Sequence, residues 1–71
     1  MKHKYEIDLF WSSEDDAFLA EVPDLPGCMA HGLTHEEALL EAQAAIELWI
    51  DVAREAGQPV PEPRHRGMRL A

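Results

Sequence analysis

The chain has 71 residues, one cysteine and a formal net charge of −8 at pH 7, which indicates one small domain without an internal disulfide. The negative charge argues against direct binding to nucleic acids, whose phosphates repel an acidic surface, and it favours a basic protein partner. No apolar run approaches the roughly 18 residues that suggest a membrane span, and the chain begins with a strand-like pattern, so we expect a cytoplasmic protein with no membrane contact.

Two strands joined by a short turn are predicted first. From His3 to Trp11 the residues alternate with the period of a half-buried strand. Its expected core face carries Tyr5, Ile7, Leu9 and Trp11. Phe10 interrupts the polar face, which suggests that it covers an edge or an interface. Residues 12–16 are typical of a polar hairpin turn, and the second strand runs from Ala17 to Val22.

A loop with two prolines follows. Proline fixes φ near about −65° and favours an extended residue before it, and glycine adopts backbone angles that other residues avoid. We therefore assign a structural role in a fixed turn to Pro23, Asp24, Pro26 and Gly27. A short third strand from Cys28 to His31 then returns antiparallel to the second, and Gly32 ends it.

One long helix is predicted between Thr34 and Gly57. Thr34 and Glu37 have the spacing of a capping box, in which the Thr34 hydroxyl accepts from the Glu37 amide and the Glu37 carboxylate accepts from the Thr34 amide. Gly57 stands where a left-handed residue ends many helices. The broad apolar face comprises Ala38, Leu39, Ala42, Ala45, Ile46, Trp49, Ile50, Val52, Ala53 and Ala56.

The opposite helix face is acidic but is interrupted by apolar residues at intervals of four. Such a stripe is either an interface or the ordinary exposure of leucines on a small protein. A core of this size supplies only about 3–5 kcal/mol, so we favour an interface and expect a homodimer or a higher homo-oligomer. The candidate partner or oligomer residues are Leu40, Ala44, Leu48, Glu41, Glu47, Asp51 and Phe10.

The last residues differ in charge from the rest. Residues 1–57 have three Lys/Arg against thirteen Asp/Glu, a formal charge of −10, whereas residues 58–71 carry +2. We divide the chain into a β-β-β-α unit, 1–57, and a tail, 58–71, of the same domain. Residues 58–63 are expected to form an extended proline-rich strap, and Arg64 to Leu70 a short edge strand. The basic tail either pairs with an acidic body across a dimer or stays solvated.

The arrangement of the candidate residues disfavours both metal binding and catalysis. Cys28, His31 and His35 are close in sequence, but structural zinc needs four converging ligands and a regular third strand points Cys28 and His31 to opposite faces. Asp8, Glu21 and Asp24 lie on or near strands, but they alternate onto a polar face as solvated acids do. We therefore expect no metal, no cofactor and no catalytic residue.

The run from Ala20 to Cys28, followed by Gly32 with Thr34 and by Glu37-Ala38, resembles the HicB antitoxin family across roughly residues 5–63. The resemblance implies an α+β domain with a three- or four-stranded antiparallel sheet carrying one helix, a partial ribonuclease-H-like fold without catalysis. It also implies that the chain inhibits a HicA-type toxin, a small basic mRNA-cleaving ribonuclease, by covering its catalytic face.

Many members also carry a second, DNA-binding domain that represses their own operon. The tail from 58 to 71 is too short and too rich in proline for it, so we do not expect this chain alone to act as a repressor. The other hypotheses are a stand-alone oligomeric interaction module without a toxin partner and a weak metal-dependent nuclease.

Overall fold

A four-stranded sheet with one long helix packed on it forms the computed structural model, which describes residues 5–63 and 68–70. The elements in chain order are β1 (Ile7–Ser12), β2 (Ala17–Glu21), β3 (Met29–Gly32), α1 (His35–Glu55) and β4 (Met68–Leu70). The strands lie in the order β3-β2-β1-β4. Since β1, β2 and β3 are antiparallel neighbours, the predicted α+β class, an antiparallel sheet carrying one helix, is confirmed.

The fourth strand joins β1 in parallel, with Ile7 opposite Met68 and Leu9 opposite Leu70. The sequence predicted an antiparallel fourth strand. The parallel direction follows from the chain path, because β3 runs in the same direction as β1, α1 runs back over the sheet, and β4 returns once more. Of the predicted strand Arg64–Leu70, the last three residues are strand, and residues 64–67 lie outside the described part, as do His3 and Lys4 of the predicted first strand.

The polar turn between β1 and β2 is confirmed at residues 13–16. The Ser12 hydroxyl donates to the Asp15 carboxylate at 3.0 Å and accepts from the Asp15 amide at 3.3 Å. Asp16 has a φ of 52°, a left-handed conformation that aspartate tolerates better than most residues. The turn sets the register in which Leu9 lies opposite Ala20.

The hydrophobic core lies between α1 and one face of the sheet. Its largest fully buried side chains are Ile7, Leu9, Leu25 and Ile46. The buried residues of α1 are Ala38, Ala42, Ile46, Ile50 and Ala53, and we call them the inner row. Their three alanines let the helix axis approach the sheet closely, so most of the buried volume at this layer comes from the two isoleucines and the strands.

Three residues predicted for the core face are exposed instead. Trp11 is 49% exposed, because it stands at the outer end of β1, where its ring packs edge-on against Phe18 at 5.0 Å. Val52 is 55% exposed, since six residues of helix place it about 120° around the axis from Ile46. Ala56, the C-terminal cap of α1, is also exposed.

The end of α1 is closed as the sequence predicted. Gly57 has a φ of 71°, its amide donates to the carbonyl of Arg54 at 3.1 Å, and the Gln58 amide donates to that of Ala53 at 2.8 Å. This pair of bonds is a Schellman motif. The strap that follows is fastened to the core, since the Tyr5 hydroxyl donates to the Pro61 carbonyl and Val60 packs against the buried cluster.

Candidate functional site

The outer face of α1 is the candidate site, because exposed apolar side chains stand there among carboxylates. Leu40 is 64% exposed and Leu48 is 65% exposed, with exposed Ala44 between them. Residues four apart follow one another along a helix surface, so this line continues to Val52. We call these four residues, Leu40, Ala44, Leu48 and Val52, the outer row.

Acidic side chains surround the outer row. The exposed acids of α1 are Glu36, Glu37, Glu41, Glu47, Asp51 and Glu55. Arg54 is the only Lys or Arg in the helix. A surface with one sign of charge raises the local concentration of oppositely charged partners and speeds their association, so the geometry suits a basic protein that also offers apolar contacts.

The N-terminal cap of α1 uses one of these acids. The Thr34 hydroxyl accepts from the Glu37 amide at 3.1 Å, as predicted. The Glu37 carboxylate accepts from the Leu33 amide at 2.7 Å, so the predicted bond to the Thr34 amide was wrong by one residue. The reason is the tight path before the helix, which brings the Leu33 amide over its first turn. Glu37 is therefore partly engaged in the fold.

Gly32 explains that tight path. A Cβ at this position would lie 2.5 Å from the Ala38 nitrogen and 2.7 Å from the Glu37 Cβ, so any side chain here would force β3 or the start of α1 to shift. The sequence had indicated only that Gly32 ends β3. The structure shows that the missing side chain lets β3 touch the start of α1, which fixes where the outer row begins.

The proline loop holds the other half of the helix. It consists of two successive four-residue turns, in which the Leu25 amide donates to Val22 and the Cys28 amide donates to Leu25. Proline stands at the second position of each turn, and Gly27 has a φ of 77° at the third position of the second turn, as a type II turn requires. Leu25 is fully buried, so the loop is anchored in the core.

Trp49 links this loop to α1. Its ring nitrogen Nε1 donates to the Pro26 carbonyl at 2.9 Å, and its ring packs against the buried cluster. Pro23 and Pro26 are exposed and Asp24 is half-buried in the turn. The structural role predicted for the loop residues stays an interpretation, and the two turns and the Trp49 bond support it.

An open groove of about 780 Å³ runs between the loop, α1 and the strap. Its walls include Met29, Leu48, Trp49, Val52 and Pro59. Met29 is 52% exposed and lies on β3, so the groove connects the C-terminal half of the outer row with the edge of the sheet. Burial raises the pKa of the Cys28 thiol, which also borders the groove; a thiol with a raised pKa is a poor nucleophile at neutral pH.

Phe10 lies apart from the other candidate interface residues. It is half-buried and stands opposite Leu19, on the sheet face that turns away from α1. The structure therefore brings Leu40, Ala44 and Leu48 together with their acids but does not bring Phe10 to that surface.

Three exposed apolar residues were missed by sequence reasoning: Val52, Met29 and Leu33, which is 74% exposed. The spacing of four from Leu48 was a signal for Val52, but it was outweighed by the assignment of Val52 to the core face. For Met29 on β3 and Leu33 just after it the signal was weaker, because the sequence of a four-residue strand does not reveal which of its two edges pairs with another strand.

The candidate residues for metal binding and catalysis do not converge in the described part of the chain. Cys28 is buried, whereas His31 and His35 are exposed. Asp8 and Glu21 are cross-strand neighbours on the face away from α1, and Asp24 lies in the proline loop. Within residues 5–63 and 68–70, no group of three metal-ligating side chains is found, and no helix is long and apolar enough to cross a membrane.

Comparison with known proteins identifies the family. Residues 5–69 match the model of the HicB-like antitoxin of bacterial toxin–antitoxin systems. A UPF0150 protein of Synechocystis is 40% identical over 57 residues, which cover 80% of this chain and 77% of that protein. A UPF0150 protein of Thermoplasma acidophilum is 33% identical over 58 residues, covering 82% and 83%.

An uncharacterised 14.9 kDa protein of Haemophilus phage HP1 is 38% identical over 48 residues, which cover 68% of this chain and 36% of the phage protein. No solved structure matches the chain significantly.

Proposed function

We propose that this chain, which belongs to the HicB-like antitoxin family of bacterial toxin–antitoxin systems, neutralises a small basic RNA-cleaving toxin of the HicA type. It does so in the cytoplasm by binding over the catalytic surface of the toxin, so that RNA is kept out. Occlusion of this kind needs no catalytic group on the antitoxin, and we assign it a non-enzymatic role.

The observation that carries this proposal is the composition of the outer face of α1. A ribonuclease surface that binds RNA is basic, because it must bind phosphates. Exposed carboxylates such as Glu41, Glu47 and Asp51 offer the same charge as RNA, and they steer the toxin onto the helix. Leu40 and Leu48 then supply apolar contacts at the centre, where most binding energy usually resides.

The direct test is a search beside this chain's gene for a reading frame that encodes a small basic protein, followed by co-expression of the two. We expect the two proteins to co-purify and the complex to be unable to cleave mRNA. Leu40→Glu and Leu48→Glu, which place a charge inside the outer row, should each weaken binding by about tenfold or more, the loss expected for a central interface residue. Helix content should stay unchanged, because both side chains are exposed.

Ser13→Glu is the matched control, since Ser13 is exposed in the β1–β2 turn and gains the same charge. If it weakens binding as much as Leu48→Glu does, the effect is one of total charge and the assigned face is wrong. If no basic neighbour binds the wild-type chain, the antitoxin proposal fails and the alternative of a stand-alone interaction module replaces it.

A further inference from the structure

A smaller recess lies at the open edge of the sheet, where β3 meets the first half of α1. β3 stands last in the order β3-β2-β1-β4, and the recess beside it is open to solvent with a volume of about 440 Å³. Small-molecule sites of proteins usually range from about 300 to 1,000 Å³, so this one suits a single long side chain better than a whole segment of a partner. The residues that line it are His31, Gly32, Leu33, Glu37, Leu40 and Glu41.

The recess combines exposed apolar side chains with carboxylates. Leu33 is 74% exposed and Leu40 is 64% exposed, and covering such side chains with apolar atoms is favourable. Glu37 and Glu41 border the same recess, one helical turn apart on α1. A ligand that satisfies both kinds of surface needs an apolar stem and a cationic end, which is the build of the long basic side chains.

The two carboxylates of the recess differ in what they already bind. The Glu37 carboxylate accepts from the Leu33 amide at 2.7 Å, which fixes its position. The Glu41 carboxylate has no hydrogen bond or ion pair with any residue in 5–63 or 68–70. Like charges four residues apart on a helix repel each other, and a cation bound between them removes that repulsion. Glu41 is therefore the carboxylate that is available to a ligand.

We propose that this recess binds one arginine side chain of the toxin, with its guanidinium on Glu41 and its stem against Leu33 and Leu40. The inference rests on the proposed function, which supplies a basic partner. Arginine suits the recess better than lysine, because its planar guanidinium forms two parallel bonds to one carboxylate and is more weakly hydrated than an ammonium. Arginine binds phosphates by the same paired bonds, so an arginine held here is withdrawn from RNA.

The recess is held in shape by the fold of the monomer. Gly32 lets β3 touch the start of α1, and the bond between the Leu33 amide and Glu37 ties the segment before the helix to its first turn. A site that is already formed loses little conformational freedom when a ligand enters. A single arginine side chain, separate from any toxin, should therefore bind here at millimolar concentrations.

Blocked single amino acids test the recess without a toxin. The probes are N-acetyl-arginine amide, N-acetyl-lysine amide and N-acetyl-citrulline amide, of which the last has nearly the shape of the first but no charge. In an NMR titration of the purified chain, the arginine probe should shift the amide signals of Leu33, Leu40 and Glu41 until they saturate. The lysine probe should bind at least about threefold more weakly, and the citrulline probe should cause no saturable shift.

Charge-removing variants locate the bound guanidinium. Glu41→Gln should weaken the arginine probe by at least about threefold, within the range measured for exposed ion pairs. Glu37→Gln should weaken it as well, while glutamine still accepts from the Leu33 amide as it does in other capping boxes. Glu55→Gln is the matched control, because Glu55 is exposed on α1 outside the recess and its loss changes the net charge equally. Circular dichroism should show that all three variants are folded.

Several results would overturn the arginine site. These are the absence of saturable shifts, equal affinity for the arginine and lysine probes, and equal weakening by Glu41→Gln and Glu55→Gln, which would indicate attraction by total charge alone. A toxin that Glu41→Gln neutralises as well as the wild type does would also overturn the site and leave the proposed function intact. If no basic neighbour binds the chain, the proposed function fails, and with it the toxin as the source of the arginine.

Discussion

The inner and outer rows of α1 are both apolar lines of residues on the same helix, but they have opposite fates. Ile46 and Ile50 of the inner row are 0% and 8% exposed, whereas Leu48 and Val52 of the outer row are 65% and 55% exposed. Their hydrophobicity is similar, so hydrophobicity alone does not decide which row faces the sheet. The inner row carries the folding energy of the monomer, and the outer row is available for a partner.

The small residues show what separates the rows. Ala38, Ala42 and Ala53 are buried, because the helix must lie close to the sheet where Gly32 and the start of α1 touch. Acids flank the outer row, and burying them against the sheet would cost several kcal/mol for each unpaired charge. The orientation of α1 therefore depends on the acids that must stay exposed as much as on the apolar side chains that are buried.

The largest effect is expected from Ile46→Ala in the inner row. Removing three carbons from a fully buried site should reduce the free energy of unfolding by about 2–5 kcal/mol. Because a domain of this size has a core worth only about 3–5 kcal/mol, much of the protein should be unfolded at room temperature. Urea unfolding followed by circular dichroism measures this, and a loss below about 1 kcal/mol would contradict the assignment of Ile46 to a closely packed core.

Gly32→Ala should have the next largest effect, because it pushes the inner row away from the sheet. The added Cβ would meet the backbone nitrogen of Ala38 at 2.5 Å, and backbone cannot move aside as a side-chain end can. We expect a loss of about 1–3 kcal/mol, the usual range for overpacking. Unchanged stability would mean that β3 and α1 separate without cost, and the tight path before the helix would then have no structural importance.

The sequence predicted the ends of α1 but not the position of the helix on the sheet. Thr34 and Gly57 predicted the helix ends, because caps are local and depend on a few adjacent residues. The close approach at Gly32 and the exposure of Val52 could not be predicted, since both depend on where α1 lies relative to the sheet. The same limit applies to β4, whose parallel direction is set by the whole chain path.

The candidate site, like the fold, was predicted only in part. The spacing of Leu40, Ala44 and Leu48 indicated a stripe among acids, and the structure shows these residues exposed on one surface. Phe10 was grouped with them because a break in the alternation of a strand does not reveal which surface of the folded molecule that residue joins. The open edge at β3 depends on strand order, which no local pattern contains.

A smaller effect is expected at Tyr5, which lies in the same buried layer as the inner row. Tyr5→Phe removes the hydroxyl that donates to the Pro61 carbonyl, and we expect a loss of about 0.5–1.5 kcal/mol at neutral pH. Desolvation, and then the negative charges of Asp24 and Glu62, raise the pKa of Tyr5 above that of a free tyrosine.

The sign of the pH dependence follows from that raised pKa. The unfolded chain loses the tyrosine proton near about pH 10, before the folded chain does, so unfolding is favoured increasingly as pH rises above that value. The contribution is fully present below about pH 10 and is lost as pH passes through the raised pKa of the folded state. Urea unfolding between neutral and strongly alkaline pH should show this decline in the wild type, and Tyr5→Phe should remove that part of it. Parallel profiles would exclude Tyr5 as the source.

The smallest effect on the monomer is expected from Leu48→Ala, which removes the same number of carbons from the outer row as Ile46→Ala removes from the inner row. Leu48 is 65% exposed, and alanine is the better helix former, so stability in dilute solution should change by less than about 0.5 kcal/mol. A larger loss there would mean that the two rows do not differ in the way the structure indicates.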